Sequence, residues 1–382
     1  MFAFLCRRGL IVPPKHFNLL SHQNAVLFRL CTSSVCENAP ENSFTVSYLI
    51  NSCGLSSSDA VSASNKLFFK SPEKPDAVLN LLREFGFTDA NITTLVTRWP
   101  NVLTARCPNK TLLPKLQFFQ SIGVPLPVLS NKLSVFPFIL KRSLENSITP
   151  LYKDLRKLLG SKEGAVHVFK QSPGTFGRCC STGISSSISF LKERGVSQST
   201  IVSLVIHQPV VLDFKKERLC VYVDRAVEMG FDLSASSFVR AMGVFLSMKD
   251  STLKRKMEVY RSCGWSESDI RVAFLRHPVC MYTSEEKIMA CMGFLVDEIG
   301  CEPGAIAQCP ALLMYSLDKR LKPRCLVARV LDEKGLLKKT IPGMYTLLKL
   351  SEKLFLRRCI DKYKKDVPEL PEIYRGKSSL GL

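Results

Sequence analysis

Basic side chains recur at one register in this 382-residue chain. Arg106 and Lys110, Lys141 and Arg142, Arg178, Lys215, Lys216 and Arg218, Lys249, and Lys319 and Arg320 all follow a helix-breaking residue by four to ten positions. Cations repeated at one register suit an anion that is itself regularly spaced. The phosphate backbone of a nucleic acid is such an anion, and binding to it weakens steeply as salt rises. The plain alternative is a solvated basic face, and for any single residue the two readings are even. The row as a whole favours phosphate contact.

A second row stands two residues before the breakers: Arg98, Gln171, His207, Arg276 and Gln308. Such groups can reach base edges or RNA. They can equally cap the last carbonyls of a helix, and capping is the simpler reading. Trp99 and Trp265 read as core or groove wall rather than as platforms for bases.

Catalytic chemistry finds no footing, so the chain is read as not an enzyme. There is no P-loop, no G-x-G-x-x-G, no nucleophile elbow and no H-E-x-x-H. The 15 cysteines scatter from Cys6 to Cys359 without a C-x-x-C pair. Cys179-Cys180 is adjacent, and His277-Pro-Val-Cys280 lacks a second close pair, so neither builds a zinc site. No metal and no cofactor are expected. The cysteines read as small buried apolar residues of a reducing compartment.

Charge points the same way as the row. The net charge is +20 and the pI about 9.4, which favours polyanions such as nucleic acid or an anionic membrane surface. No apolar run reaches 18 residues, so no membrane-inserted helix is expected. Residues 1–36 carry Arg7, Arg8, Lys15 and Arg29 and no acid, the signature of an organellar transit peptide. Arg29-Leu30-Cys31 before Thr32-Ser33 suits a mitochondrial processing site. Removing that leader leaves +16, so the basic character belongs to the remainder.

What positions the cations is a repeat. Gly86, Gly123, Gly160, Gly195, Gly230, Gly264, Gly300 and Gly335 succeed one another every 34 to 37 residues. Breakers follow 10 to 14 residues later at Pro100, Pro137, Pro173, Pro209, Gly243, Pro278 and Pro310. Three residues past each breaker stand Leu103, Leu140, Phe176, Leu212, Leu246, Met281 and Leu313. Apolar anchors Ile92, Leu129, Val166, Ile201, Ile270 and Ile306 fall six residues after most glycines. The spacing predicts a first helix, a left-handed glycine, a polar turn capped by residues such as Thr88, Ser197 and Ser266, and a second helix ended by the breaker. The P-x-x-Leu piece then makes one tight turn whose leucine plugs the core. Pro114, Pro150 and Pro323 stand where the next first helix begins. Such units bury their apolar faces only by stacking, which makes an all-α solenoid of seven or eight units from about 60 to 340.

The combined pattern resembles the plant branch of the mitochondrial transcription termination factor (mTERF) family. The resemblance rests on Gly195…Ile201…Pro209-Val-Val-Leu212 and its copies, and on the lead-in pieces Phe44–Gly54 and Ser71-Pro-Glu-Lys-Pro75. Leu112–Leu116, Arg142–Asn146, Leu350–Phe355 and Val367-Pro…Tyr374-Arg-Gly-Lys377 extend it over roughly residues 44 to 377. Gly243 in place of a proline, Phe238 as that unit's anchor, the Ser- and Gly-rich run from Ser172 to Ser189 and the short Gly300 unit depart from it.

The resemblance implies stacked repeats of two long helices and one short, in a left-handed superhelix that binds nucleic acid in mitochondria or chloroplasts. The expected organisation is a transit peptide over 1–36, a lead-in over 37–70, the repeat domain over 71–340 and a basic cap and tail over 341–382. Leu347, Leu350, Leu354 and Phe355 suggest one final helix capping the open end. The expected function is regulation of mitochondrial gene expression through double-stranded DNA, as in transcription termination, by a monomer. Two further readings stay open: an RNA-splicing or RNA-processing factor with organellar protein partners, and a protein-interaction scaffold. A chloroplast is the alternative compartment. A pentatricopeptide protein has a similar period but no proline-x-x-leucine breaker in each unit.

Overall fold

The computed structural model describes residues 43–178, 181–336 and 343–376. The expected leader over 1–36, Cys179-Cys180, Lys338-Lys339 and Lys377 lie outside the described residues. Among the described residues every regular element is helical.

Each repeat begins with its glycine. All eight glycines of the register have positive φ, from 67° at Gly335 to 93° at Gly264, and Gly54 and Gly376 join them. At Gly195 the chain reverses through two hydrogen bonds. The Gly195 amide donates to the Lys192 carbonyl at 2.9 Å, and the Val196 amide to Leu191 at 3.0 Å. This pair satisfies the orphan carbonyls of the helix end and requires a left-handed residue between them. The helix that follows is capped as its sequence predicts. Ser197 accepts from the Thr200 amide, and Thr88 and Ser266 form reciprocal capping boxes with Asn91 and Asp269.

The breaker turns take the expected form. Pro100–Thr104, Pro209–Asp213, Pro278–Tyr282 and Pro310–Met314 are 3-10 turns, while Phe138–Lys141 and Pro173–Arg178 are short α-helical turns. Their plugs are buried: Leu103, Phe176, Met281 and Leu313 are fully inaccessible, and Leu140, Leu212 and Leu246 nearly so. Anchors Leu129, Ile201, Phe238 and Ile306 are equally buried. Burial on this scale contributes about 1.5–3 kcal/mol for each such side chain.

Units stack like on like. The second helix Asp89–Arg98 packs on Leu126–Val135, Lys162–Gln171 on Gln198–His207, and Gln198–His207 on Ser236–Ser247, which in turn packs on Glu267–Arg276. The breaker turns stack as well: Phe138–Lys141 on Pro173–Arg178, that turn on Pro209–Asp213, and Pro278–Tyr282 on Pro310–Met314. One buried apolar cluster therefore runs from Tyr48 to Leu348.

Three features differ from expectation. Gly243 breaks nothing: the helix Ser236–Ser247 runs straight through it. A glycine weakens a helix by about 1 kcal/mol but leaves its hydrogen bond in place, so burial of Phe238, Met242 and Phe245 holds the helix together. The glycine also leaves room for a neighbour, since a Cβ there would lie 2.5 Å from the Gln208 amide nitrogen. Second, Pro150 and Pro323 stand at the starts of Thr149–Leu159 and Lys322–Glu333 as expected, but each helix is entered from a π-helical segment, Leu144–Ile148 or Leu317–Leu321. The wider turn absorbs the hydrogen bond that each proline cannot make. Third, the final helix expected across Leu347 to Phe355 is two: Gly343–Lys349 ends, Ser351 caps anew, and Glu352–Phe355 begins.

The end beyond Gly335 has its own small core. Val327, Ala328 and Leu331 of the last long helix meet Leu347, Phe355, Cys359, Tyr363, Val367, Leu370 and Ile373. The buried Arg324 ties this cap down. Its Nη1 donates to the carbonyls of Leu348 (3.0 Å) and Leu350 (2.6 Å), and its Nη2 pairs with Glu352 at 2.8 Å.

Candidate nucleic-acid interface

Where breaker turns stack on breaker turns, the residues that follow them fall at equivalent positions of successive units. The expected cations occupy the step from each turn into the next unit's first helix. Arg106 precedes the short helix Pro108–Thr111, which holds Lys110. Lys141 ends one turn and Arg142 follows it. Arg178 ends the next. Lys215 is the N-cap of Lys216–Glu228, with Lys216 and Arg218 in its first turn. Lys249 is the N-cap of Asp250–Ser262. Lys319 and Arg320 lie in the π segment Leu317–Leu321.

Their partners sort them. Arg106, Lys110, Lys215 and Lys249 are exposed, and neither they nor Lys319 makes a side-chain hydrogen bond or ion pair among the described residues. Others rest on aromatic faces: Lys141 over Trp99 at 5.1 Å, Lys216 over Phe190 at 5.5 Å, and Arg218 over Phe214 at 5.5 Å. Such contacts hold a cation in place while leaving its charge available. Lys216 also pairs with Glu193, and Arg178 with the nearly buried Asp213 of the following turn. Arg320 is turned inward. It lies 3.6 Å from the Tyr315 ring and donates to the carbonyls of Leu348, Lys349 and Leu350. Burial, then the charge of Arg324, lowers its proton affinity.

Lys215 and Lys249 stand at helix N-caps without a side-chain cap bond, as Pro125 and Ala235 also do. Elsewhere in this chain Thr88, Ser161, Ser197, Ser266 and Ser284 cap their helices with a side-chain oxygen. The two lysines adopt the same extended backbone, with φ and ψ of −69° and 153° and of −68° and 145°, and provide no cap bond. A missing cap costs about 1 kcal/mol, and a cation at the positive end of a helix dipole costs roughly 0.3–1 kcal/mol more. Glu217 and Asp250, in the first turns of these helices, offset part of the dipole cost. An anion at either end would meet backbone amides without a side-chain cap and a lysine beside them. Asp213, Phe214, Lys215, Glu217 and Arg218 line an open pocket at the first of these ends.

The second row serves the fold in part. Arg98, Gln171, His207 and Arg276 end their helices, and Gln308 follows one directly. The His207 ring lies 2.8 Å from the Ser203 carbonyl, and Arg276 donates to the Gln308 carbonyl of the next unit. Trp265 is buried and stacked on Tyr260 at 4.4 Å.

Sequence reasoning missed a set of clamps. Lys115 donates to the Leu140 carbonyl at 2.5 Å, Lys256 to Thr283, and Lys287 to Met314 at 2.7 Å. Each reaches from a first helix to the end of its unit's breaker turn. Burial lowers the proton affinity of Lys115 and Lys256. Their positions in first helices, 25 to 27 residues before the carbonyl, were the available signal.

Nothing near the row resembles a reactive centre. Burial pushes the thiols of Cys53, Cys280 and Cys325 up to about 12 and that of Cys359 up to about 11, far from thiolate at neutral pH. Among the described residues no group of three metal-ligating side chains occurs.

The mTERF family profile matches residues 79–235 and 229–356. Transcription termination factor MTERF8, chloroplastic, of Arabidopsis thaliana is 26% identical over 269 residues, covering 68% of this chain and 51% of that protein. Transcription termination factor MTERF15, mitochondrial, of the same plant is 22% identical over 310 residues, covering 79% of this chain and 58% of that one. The chain thus spans little more than half the length of these curated relatives.

Proposed function

Since this chain belongs to the mTERF family, we propose that it regulates organellar gene expression by binding nucleic acid along its basic row, without catalysis. Two relatives are named as transcription termination factors, one chloroplastic and one mitochondrial, which supports an organellar role in transcription. The acid-free start of the chain supports the same compartment class, with the mitochondrion as the first choice.

The observation that carries this reading is the pair of lysines at helix N-caps. Lys215 and Lys249 leave the helices they begin without a side-chain cap bond, and an anion bound at those ends would supply one beside the first-turn carboxylates Glu217 and Asp250. Arg106, Lys110 and Lys319 continue the row on either side, with Lys141, Lys216 and Arg218 held over rings between them. Arg142 and Arg178 flank it, and Arg320 supports the path from within. Phosphates are common to DNA and RNA, so this row sets affinity and register, and other side chains set the target.

The test is affinity for organellar DNA and RNA fragments across a salt series. Affinity should fall with a slope of about 0.7–0.9 in log–log terms for each phosphate contacted. Weak binding insensitive to salt would leave the scaffold reading. Lys215→Glu with Lys216→Glu separates the two: it should abolish nucleic-acid binding here, and would spare it if the row served an acidic protein.

A further inference from the structure

Two exposed apolar side chains interrupt the basic row. At the fourth residue past the breaker, most units carry something small or polar: Thr104, Lys141, Gly177, Asp213 and Ser247. The last two breaker turns carry Tyr282 and Met314 instead, 47% and 37% exposed. Both are fixed rather than loose. The Tyr282 hydroxyl lies 2.9 Å from Ser247 Oγ in the preceding unit, which anchors one end of the ring. Met314 Sδ lies 3.1 Å from His277 Nε2, and the Met314 carbonyl accepts from Lys287. The turns that hold them stack directly on each other. Lys249 stands two residues beyond Ser247, and Lys319 five residues beyond Met314, so unpaired cations flank the pair.

Resting on the phosphate-binding role proposed above, we propose that Tyr282 and Met314 are platforms for two unpaired bases of single-stranded RNA. Apolar surface within a cationic path has no use for phosphate, but a base face matches it. Packed helical elements lie about 8–10 Å apart, against the 3.4 Å rise of stacked bases, so adjacent bases on these platforms are parted from each other. A duplex cannot part its bases in this way without losing its stacking. RNA presents unpaired, splayed bases in its resting state, and such bases are read by stacking on side chains. The ordered hydroxyl of Tyr282 and the thioether of Met314 keep the two faces presented before the strand arrives. Lys249 and Lys319 then take the flanking phosphates.

The experiment measures fluorescence anisotropy of the full chain with one sequence as single-stranded RNA, single-stranded DNA and duplex DNA. The parent should bind the single-stranded RNA most tightly. Tyr282→Ala and Met314→Ala should each weaken that binding by about 5- to 150-fold, the range for one lost base stack, and leave the salt slope unchanged. Tyr282→Phe and Met314→Leu keep an apolar face and should retain most of the affinity, which separates stacking from misfolding. Duplex binding should change little in any variant. Tighter binding to duplex or to single-stranded DNA than to RNA overturns the assignment, as does equal loss on all three ligands. Failure of the parent to bind any of them would instead overturn the phosphate-binding role itself.

Discussion

At the scale of single residues, the molecule separates side chains that serve the fold from those that cost it something. Gly177 belongs to the first kind. A Cβ there would fall within the Phe138 ring of the preceding turn, so Gly177→Ala should destabilise by about 1–3 kcal/mol, read as a lowered melting temperature. His277 offers a pH-dependent test. Burial, then the charge of Arg240, lowers its proton affinity in the folded chain below that of a free imidazole. Above about pH 6.5 both folded and unfolded chains hold it neutral. As pH falls, the unfolded chain takes up the proton first, so stability is lost on the acid side. His277→Gln should shrink the fall in melting temperature between pH 7.5 and pH 5.5. An unchanged fall would mean that other groups carry the acid sensitivity. Lys215 and Lys249 are of the second kind, because neither supplies the side-chain cap bond that a serine would.

At the scale of elements, the repeat was legible because each of its parts has a local cause. A left-handed glycine, a proline without an amide hydrogen and a serine cap act within a few residues, and the chain spells them in order. Ser266→Ala should therefore cost about 1 kcal/mol, since it removes one half of a capping box with Asp269. What was not legible depends on neighbours distant in sequence. The helix through Gly243 is held by burial of Phe238 and Phe245, and its glycine is matched to Gln208 in another unit. The clamps from Lys115, Lys256 and Lys287 look like any surface lysines until the turn they reach is in place. Arg320 shared its register with the outward cations, yet it points to the carbonyls that end Gly343–Lys349. Arg324 is the plainest case, a fully buried arginine whose partners lie 24 to 28 residues on. Arg324→Met should leave those carbonyls to Arg320 alone and Glu352 to Tyr374, at about 1–3 kcal/mol. Hydrogen exchange should then quicken within residues 343–376 and stay slow in the earlier repeats.

At the scale of the whole molecule, stacking turns one local pattern into a long surface. Three pairs of breaker turns stack, and the proposed cations follow such turns at a common register. A net charge of +20 supplies the attraction, and the repeat supplies its direction. The curated relatives are nearly twice as long as the stretch they share with this chain. The proposed row holds phosphate at helix ends that carry no side-chain cap. The most direct measurement is nucleic-acid affinity across a salt series, with melting temperature, for the parent and for Lys215→Ser with Lys249→Ser. The two serines should restore caps and raise stability by about 1 kcal/mol each, while affinity falls and the log–log salt slope drops by about 1.4–1.8. A double variant that is more stable and binds with an unchanged slope would contradict the account.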